Sequence, residues 1–144
     1  MKFKIYFFLL LSCAWLFSQS PQHADEIRIN NDLKLLHLTD SIYVHISWFN
    51  SKDFGRFSSN GMLIIKKGQA LMIDTPMNIE MTEQLYNFVR DSMHVVITKF
   101  IAGHYHEDCI GGLEFLQSKG VASIANFMTI EKCKELNLPL PEKS

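Results

Sequence analysis

The strongest constraint on the fold is a pair of short apolar runs separated by a turn. Residues 62–65 (Met-Leu-Ile-Ile) and residues 70–73 (Ala-Leu-Met-Ile) flank the sequence Lys-Lys-Gly-Gln. Two apolar runs around a glycine-containing turn are typical of a β-hairpin. Upstream, residues 41–48 alternate between apolar and polar side chains, which predicts a half-buried strand. The sequence therefore places several neighbouring strands in the first half of the chain.

Helical and strand patterns alternate after this hairpin. Asn78 is a good N-cap for a helix that runs to about Ser92. The apolar face of this helix contains Met81, Leu85, Phe88 and Val89. The elements predicted next are a strand over 95–98, a helix from near Ile110 to Gly120, a strand over 121–125 and a short helix over 129–136. Strands first, followed by alternating helices and strands, favour an α/β layered domain with a mixed sheet.

The N-terminus has the pattern of an exported protein. Residues 1–4 contain two lysines, residues 5–17 are largely apolar, and polar residues follow. This order is typical of a secretory signal that is too short to span a bilayer comfortably. We expect residues 1–18 to be cleaved and the mature protein, with no stable membrane span, to reach a bacterial periplasm. The alternative is a lipoprotein signal with a lipidated Cys13, but the apolar run continues beyond that cysteine.

Length, charge and cysteine content narrow the remaining classes. The chain of 144 residues has room for one domain at most, assigned to residues 33–144, with residues 19–32 as a polar, loose lead-in. The net charge of −1 favours neither nucleic acid nor an anionic membrane as a partner. Cys109 and Cys133 have no disulfide-framework spacing and are predicted to be buried thiols.

A polar segment between a predicted strand and a predicted helix contains candidate metal ligands. His104, His106 and Asp108 alternate, and alternate residues of an extended segment project to the same side. Such residues lie roughly 6.6 Å apart, whereas zinc ligands lie about 2 Å from the ion. We therefore expect two ions, with both histidines on one and Asp108 on the other. Asp108 is also predicted to cap the next helix, which Gly111 and Gly112 allow to approach the sheet.

The other histidines of the predicted strands and helices give no such signal. A single histidine at the edge of a strand or helix more often packs in the core or lies on the surface than binds metal. We therefore predict no ligand role for His37, His45 and His94. A His-x-His pair alone is also a weak signal, and the metal prediction depends on the third alternate residue and on the strand and helix around it.

Residues 104–113 (His-Tyr-His-Glu-Asp-Cys-Ile-Gly-Gly-Leu) resemble the His-x-His-x-Asp segment of the class B metallo-β-lactamases. These zinc enzymes hydrolyse penicillins, cephalosporins and carbapenems. Residues 59–62 (Ser-Asn-Gly-Met) and 73–76 (Ile-Asp-Thr-Pro) resemble two further segments of the family. Similarity extends over about residues 38–141. The resemblance implies a metallo-β-lactamase-like αβ/βα sandwich of which this chain supplies the first half only, a mixed sheet with helices on one face.

Two positions indicate which members of the metallo-β-lactamase fold the chain resembles. His104 resembles the two-zinc, broad-spectrum subclass, because the single-zinc subclass typically has asparagine there. Cys109 stands where the glyoxalase-II-like hydrolases of the same fold usually have a further histidine ligand, which disfavours a hydrolase of that type.

The resemblance also implies roles for individual residues. Zinc would make a water molecule reactive towards the lactam carbonyl, and Asp108, as a catalytic residue, would hold the second ion and orient the nucleophile. Asp74 would hold the metal-binding loop, residues 103–108, in place without binding the ion itself, and Gly111 and Gly112 would also support this loop. Residues 48–59 match a mobile flap over the substrate. The apolar side chains of this flap are Trp48, Phe49, Phe54 and Phe57, for which packing against the hairpin is an equal alternative.

Further ligands of the family are expected beyond Ser144: a third histidine for one ion, and a cysteine and a histidine for the other. We therefore expect two zinc ions per complete domain but at most one, weakly bound, in this chain. Three functions remain open. The chain belongs to a periplasmic β-lactamase that confers antibiotic resistance and acts on small β-lactams, or to another hydrolase of the same fold with an ester, amide or thioester substrate, or it is a non-catalytic remnant or binding protein.

Overall fold

The computed structural model describes residues 25–143, in which seven strands form one mixed sheet whose spatial order follows the sequence. The strands are β1 (Asp25–Arg28), β2 (Leu33–Thr39), β3 (Ile42–Ser51), β4 (Gly55–Lys66), β5 (Gln69–Ile73), β6 (Val96–Ala102) and β7 (Ala122–Ala125). The helices are α1 (Ile79–Asp91), α2 (Glu107–Ile110), α3 (Leu113–Ser118) and α4 (Phe127–Glu135). The predicted signal and Cys13 lie outside the described residues. Among the described helices, none has the length and apolar character needed to cross a membrane.

The direction of the strands changes halfway through the sheet. β1 to β5 pair antiparallel, each with its neighbour in sequence. β5, β6 and β7 pair parallel, and α1 and the α2–α3 pair form the connections between them. This is the predicted α/β architecture, a mixed sheet with helices on one face, and it is confirmed. The carboxyl ends of the three parallel strands meet at one edge of the sheet, where chemistry is commonly located in such folds.

The hydrophobic core lies between the helices and one face of the sheet. Met72 of β5 and Phe100 of β6 face each other in register and are completely buried. Leu85 and Val89 of α1 and Leu113 of α3 cover them from the helical side. The predicted helix α1 is confirmed, and its N-cap is Asn78, whose Oδ1 accepts a hydrogen bond from the backbone N–H of Met81 at 2.9 Å.

The opposite face of the sheet carries a continuous apolar row. Six half-buried side chains, one from each of the strands β2 to β7, lie in register across it. They are Leu36, Val44, Met62, Ile73, Ile101 and Ile124. Each is next in sequence to residues that point into the core, so the row faces away from the helices.

The expectation of a loose lead-in is wrong for residues 25–28. This segment forms β1, an edge strand, where Ile27 packs against the core and Glu26 forms a 2.7 Å ion pair with Lys34. No element was predicted for β2, in which Leu33 and Leu35 are fully buried. Leucines on both faces of β2 hide the period of two on which strand prediction depends.

Strands β3 and β4 are longer than the sequence indicated. They pair without interruption from Ile42 opposite Ile64 to Ser51 opposite Gly55. The segment expected to form a mobile flap is therefore the end of a two-stranded hairpin that projects from the sheet. Its tip is the short turn over residues 52–54.

Candidate metal centre

The site lies at the carboxyl end of β6, next to that of β5. β6 ends at Ala102, and the chain then passes through Gly103, His104, Tyr105 and His106 before α2 begins at Glu107. Because β5 and β6 are parallel, the residues that follow them, Asp74 and Gly103, are brought together. The site therefore lies where the carboxyl ends of two parallel strands meet.

The structure brings His104, His106 and Asp108 together. The Nε2 atom of His104 lies 2.8 Å from Nδ1 of His106 and 3.9 Å from Oδ1 of Asp108. One ligand atom from each residue lies within 4.8 Å of the other two. Within residues 25–143, these three residues form the one group of three or more His, Cys, Asp or Glu side chains close enough to share an ion.

The local structure that creates this cluster differs from the predicted one. The predicted N-cap at Asp108 is wrong, because the N-cap of α2 is His106, whose backbone is extended with ψ of 159°. Asp108 is instead the second residue of α2. The helix expected from near Ile110 is also broken at Gly111 and Gly112 into two short helices. Asp108 approaches His104 because the chain turns helical between them, and not because an extended strand continues.

The donor set fits a metal ion held by these three residues. Ligands about 2.0–2.1 Å from a tetrahedral zinc ion lie roughly 3.3 Å from one another. The separations of 2.8 Å and 3.9 Å around Nε2 of His104 lie on either side of that value. Two imidazole nitrogens and a carboxylate oxygen also match the ligand chemistry of zinc. Small side-chain rotations would therefore suffice to place His104, His106 and Asp108 around one ion, whereas the spacing of the sequence alone favoured Asp108 on a second.

Cys109 contacts the back of this cluster. Its Sγ lies 2.9 Å from Nδ1 of His104, the ring nitrogen that faces away from His106. Burial raises the pKa of the Cys109 thiol to about 12, and the nearby carboxylates of Asp74 and Asp108 add to this effect. Cys109 therefore contacts the imidazole of His104 on the side away from His106, as a thiol that burial keeps from ionising readily. Cys109 and Cys133 are both free and buried, as predicted.

Asp74 and Thr75 connect the end of β5 to the metal-binding loop. The Oδ1 atom of Asp74 accepts a hydrogen bond from the backbone N–H of Gly103 at 2.7 Å. The backbone N–H of Thr75 donates to the carbonyl of Cys109 at 3.1 Å, and the side-chain Oγ1 of Thr75 accepts from the N–H of Gly112 at 3.0 Å. The position of Asp74 is thus compatible with the supporting role that the family resemblance implies. Thr75 was missed, although it stands next to Asp74 in the same sequence segment.

Both glycines of the break between α2 and α3 lie against other parts of the chain. A Cβ added to Gly111 would clash with the carbonyl oxygen of Met77, and one added to Gly112 would clash with the side chain of Thr82. Thr82 belongs to α1, so the glycines allow α2 and α3 to approach α1 and the end of β5 closely. This close approach holds the first turn of α2, which contains Asp108, against the sheet edge.

An open cleft of about 460 Å³ separates the cluster from the projecting hairpin. Its lining residues are Phe54, Phe57, Met77, His106, Glu107 and Asp108. The hairpin contributes one apolar wall, and α2 with its N-cap residue His106 contributes a polar wall that includes two of the candidate ligands. Met77 and Glu107 were not predicted from the sequence, because they reach the cleft only through the turn after β5 and the early start of α2.

The four aromatic residues predicted for the flap do not share one role. Phe54 at the hairpin tip is 83% exposed and lines the cleft together with Phe57. Phe49 packs edge-on against Phe57, with ring centroids 6.2 Å apart. Trp48 is one residue out of phase with Phe49 and lies on the other face of the hairpin, where Nζ of Lys34 is 5.2 Å from its ring centroid. The structure therefore places Trp48 away from the cleft.

The other histidines do not join the cluster. His37 stacks on Tyr43, with ring centroids 4.5 Å apart, and His94 is exposed in the turn between α1 and β6. His45 is fully buried, which is one of the two environments predicted for it. Its side chain nevertheless makes a polar contact to the end of β5 that was not predicted.

Comparison with known proteins places these observations in a family. No protein-family model matches the chain. A metallo-beta-lactamase type 2 from Bacteroides fragilis is 44% identical over 135 residues, which cover 94% of this chain and 53% of the relative. A second metallo-beta-lactamase type 2, from Pseudomonas aeruginosa, is 32% identical over 72% of this chain and 42% of the relative. The chain spans about half the length of the curated relatives that it matches.

Solved structures give the same result for the fold. A metallo-beta-lactamase from Erythrobacter litoralis, with beta mercaptoethanol in its active site, superposes with a TM-score of 0.76 at 24% identity. It covers 82% of this chain, which corresponds to 51% of that protein. A metallo-beta-lactamase from Pseudomonas aeruginosa in its mono-zinc form gives a TM-score of 0.75 at 20% identity, over 81% of this chain and 52% of that protein.

The fold and the cluster at its edge together define a protein of the metallo-β-lactamase fold, present here as about half of that fold. The sequence relatives narrow this further: the chain belongs to the class B metallo-β-lactamases, as the resemblance predicted, and carries about half of such a protein.

Proposed function

We propose that the chain forms about half of a zinc-dependent hydrolase that cleaves the amide bond of β-lactam antibiotics, and that it supplies part of the metal site. The observation that carries this proposal is the convergence of His104, His106 and Asp108 beside an open cleft. The names of the relatives, metallo-beta-lactamase type 2, support the substrate class.

Some residues of this chain would bind the metal ion, and others would contact the substrate or the attacking water. His104 and His106 would hold one zinc ion, and Asp108 would hold a second ion or share the first. Zinc bound there supplies Lewis acidity, which lowers the pKa of a water molecule to about 7 and polarises a carbonyl group. Asp108, as a catalytic residue, accepts a hydrogen bond from the attacking water and so fixes its direction.

The cleft would bind the fused rings of the substrate against its apolar wall. Phe54, Phe57 and Met77 provide that wall, opposite His106 and Asp108. A volume of about 460 Å³ lies within the usual range for small-molecule sites. Closure of the exposed hairpin tip over the substrate would exclude water from the reacting carbonyl and strengthen the electrostatic interactions within the site.

We also propose that the protein is exported to the periplasm by cleavage of residues 1–18. The basic, apolar and polar order of the N-terminal sequence supports this. Mass spectrometry of the protein recovered from periplasmic extract should give a mature N-terminus at Gln19. A protein that retains Met1, or one that carries a diacylglyceryl group on Cys13, would contradict this cleavage site.

Zinc binding and turnover test the proposed function directly. We expect equilibrium dialysis of the 144-residue chain to show at most one weakly bound zinc ion, because its described residues offer two imidazoles and one carboxylate. We expect negligible hydrolysis of a chromogenic cephalosporin by this chain. If the reading frame continues beyond codon 144, the longer product should hydrolyse the cephalosporin and lose that activity to a chelator.

Three results would contradict these expectations. Two tightly bound zinc ions per 144-residue chain would overturn the ligand count, and chelator-sensitive turnover by that chain would overturn the expected inactivity. A longer product that binds zinc but hydrolyses a thioester in place of the cephalosporin would replace the proposed substrate with that of another hydrolase of the same fold.

A further inference from the structure

His45 is a fully buried ionisable side chain that the proposed mechanism does not use. It lies on β3 with 0% of its surface exposed. Its Nδ1 atom has no hydrogen-bond partner among the described residues. An apolar side chain of similar size would fill the same space without the desolvation of two ring nitrogens, so packing alone does not account for a histidine at this position.

The imidazole of His45 reaches across a neighbouring strand. His45 pairs with Gly61 of β4, and a Cβ added to Gly61 would clash with the His45 ring. Because Gly61 has no side chain, the ring passes over β4 to the end of β5. There its Nε2–H donates a hydrogen bond to the carbonyl oxygen of Asp74 at 3.1 Å.

Asp74 is the residue through which the end of β5 holds the metal-binding loop. Its backbone is left-handed, with φ of 57°, a conformation that aspartate adopts more readily than most residues but less freely than glycine. Its backbone N–H donates to the carbonyl of Ile101 at 3.0 Å, and its carboxylate accepts from the N–H of Gly103 at 2.7 Å. Each polar group of Asp74 therefore has a fixed partner, and His45 is the partner of the carbonyl.

We propose that His45 is a positioning residue of the metal centre, which holds Asp74 in its left-handed conformation and thereby aims the loop that carries His104 and His106. The connection runs from the His45 ring to the Asp74 carbonyl, from the Asp74 carboxylate to Gly103, and from Gly103 to His104, the next residue. The proposal rests on the proposed function, because it requires these histidines to bind a metal ion.

Two substitutions separate this role from packing. His45→Phe keeps a ring of similar size but removes the donor, and His45→Gln keeps an amide donor close to the position of Nε2. His37→Phe is the matched control, because His37 also packs a half-buried ring, against Tyr43, and its Nε2 has no hydrogen-bond partner among the described residues.

Competition for Zn²⁺ with a chromophoric chelator measures the effect. We expect His45→Phe to weaken zinc binding by about 10–100-fold, the usual consequence of losing a group that orients a ligand. His45→Gln should bind within about threefold of the unsubstituted protein, and so should His37→Phe. The visible absorption of the Co²⁺-loaded protein should change in His45→Phe and stay unchanged in the other two variants.

A measurement without substitution covers the case in which His45→Phe does not fold. In the unsubstituted protein, ¹⁵N NMR of the imidazole should show the Nε2–H tautomer, with a resonance that shifts when Zn²⁺ is added. An Nδ1–H tautomer would overturn the proposal, because Nε2 could not then donate to Asp74. Equal zinc affinity of His45→Phe and the unsubstituted protein would also overturn it, as would equal losses in His45→Phe and His45→Gln. Failure of the unsubstituted protein to bind zinc would instead contradict the proposed function.

Discussion

At the scale of single residues, His45 makes the stability of the protein depend on pH. Burial lowers the pKa of His45 to about 4, although the carbonyls of Asp74 and Ile73 partly oppose this. In the unfolded chain, His45 takes up a proton near pH 6.5, so the buried neutral ring makes its full contribution to the unfolding free energy above that pH. This contribution is lost progressively as the pH falls from about 6.5 towards 4, because His45 is then protonated only in the unfolded state.

The corresponding loss of unfolding free energy is roughly 3 kcal/mol for a shift of this size. Denaturant unfolding at several pH values between 4 and 7 measures it. His45→Gln cannot take up this proton, so its stability should decline by roughly 3 kcal/mol less over the same range. Parallel pH profiles for the two proteins would show that His45 is not a buried neutral base.

The sequence revealed the candidate metal ligands but not the residues that support them across the sheet. His104, His106 and Asp108 lie within five positions of one another, so local spacing was sufficient to group them. The proposed role of His45, on β3, depends on the space left by Gly61 on β4. It also depends on the left-handed backbone of Asp74, which follows β5. No local pattern contains this information.

At the scale of secondary structure, the break between α2 and α3 is a point of close packing. A Cβ on Gly111 would clash with the carbonyl oxygens of Met77 and Glu107, which are backbone atoms and cannot rotate away. Gly111→Ala should therefore lower the free energy of unfolding by about 1–3 kcal/mol, as measured by denaturant titration. The exposed control Glu114→Ala, in α3, should stay within about 0.5 kcal/mol of the unsubstituted protein. An equally small effect of Gly111→Ala would contradict the close packing of this turn.

The projecting hairpin provides a second test at this scale. Phe54 is 83% exposed, so Phe54→Ala should change the unfolding free energy by less than about 0.5 kcal/mol. In a product that hydrolyses cephalosporins, the same substitution should raise KM several-fold, because it removes part of the apolar wall of the cleft. Trp48→Phe, on the other face of the hairpin, should leave KM unchanged. An increase in KM with Trp48→Phe but not with Phe54→Ala would reverse the assignment of the two faces.

The elements themselves were predicted unevenly, for physical reasons. α1 was predicted well because Asn78 caps it and a clear apolar face follows. The structure places the start of α2 at Glu107, where no capping side chain signals a helix, and β1 is a polar edge strand. The hairpin of β3 and β4 is extended by cross-strand pairing beyond the apolar runs that indicated it.

At the scale of the whole molecule, one face of the sheet determines how the isolated chain behaves. The apolar row from Leu36 to Ile124 is half-buried and is not covered by the described helices. A contiguous apolar surface of this kind favours association. We expect the 144-residue chain to bind a hydrophobic dye and to form oligomers whose mass, measured by light scattering, increases with concentration.

A charge on this face should reduce that association. Ile64, which lies between Ile42 and Leu71 on the same face, is the position to substitute. Ile64→Lys should shift the light-scattering mass towards that of the monomer, whereas Ser118→Lys, which adds the same charge on helix α3, should not. A monomeric unsubstituted chain that does not bind the dye would contradict the exposure of this apolar face.

The order of the elements was sufficient to predict the mixed sheet, but no local pattern in the sequence indicates which face of the sheet is buried under the helices. The alternation in β3 suggested that Ile42, Val44 and Ile46 lie on one side, as they do. It could not indicate that the fully buried side is the other one, with His45 and Ser47. Burial on that side is set by the helices, which follow much later in the sequence.

The central claim, that His104, His106 and Asp108 bind metal, is tested most directly by X-ray absorption at the zinc edge of the zinc-loaded protein. We predict imidazole scattering from two histidines with nitrogen or oxygen ligands at about 2.0–2.1 Å from the zinc ion, lost in a His104→Ala, His106→Ala double variant. A spectrum without imidazole scattering, or one that the double variant leaves unchanged, would contradict this claim.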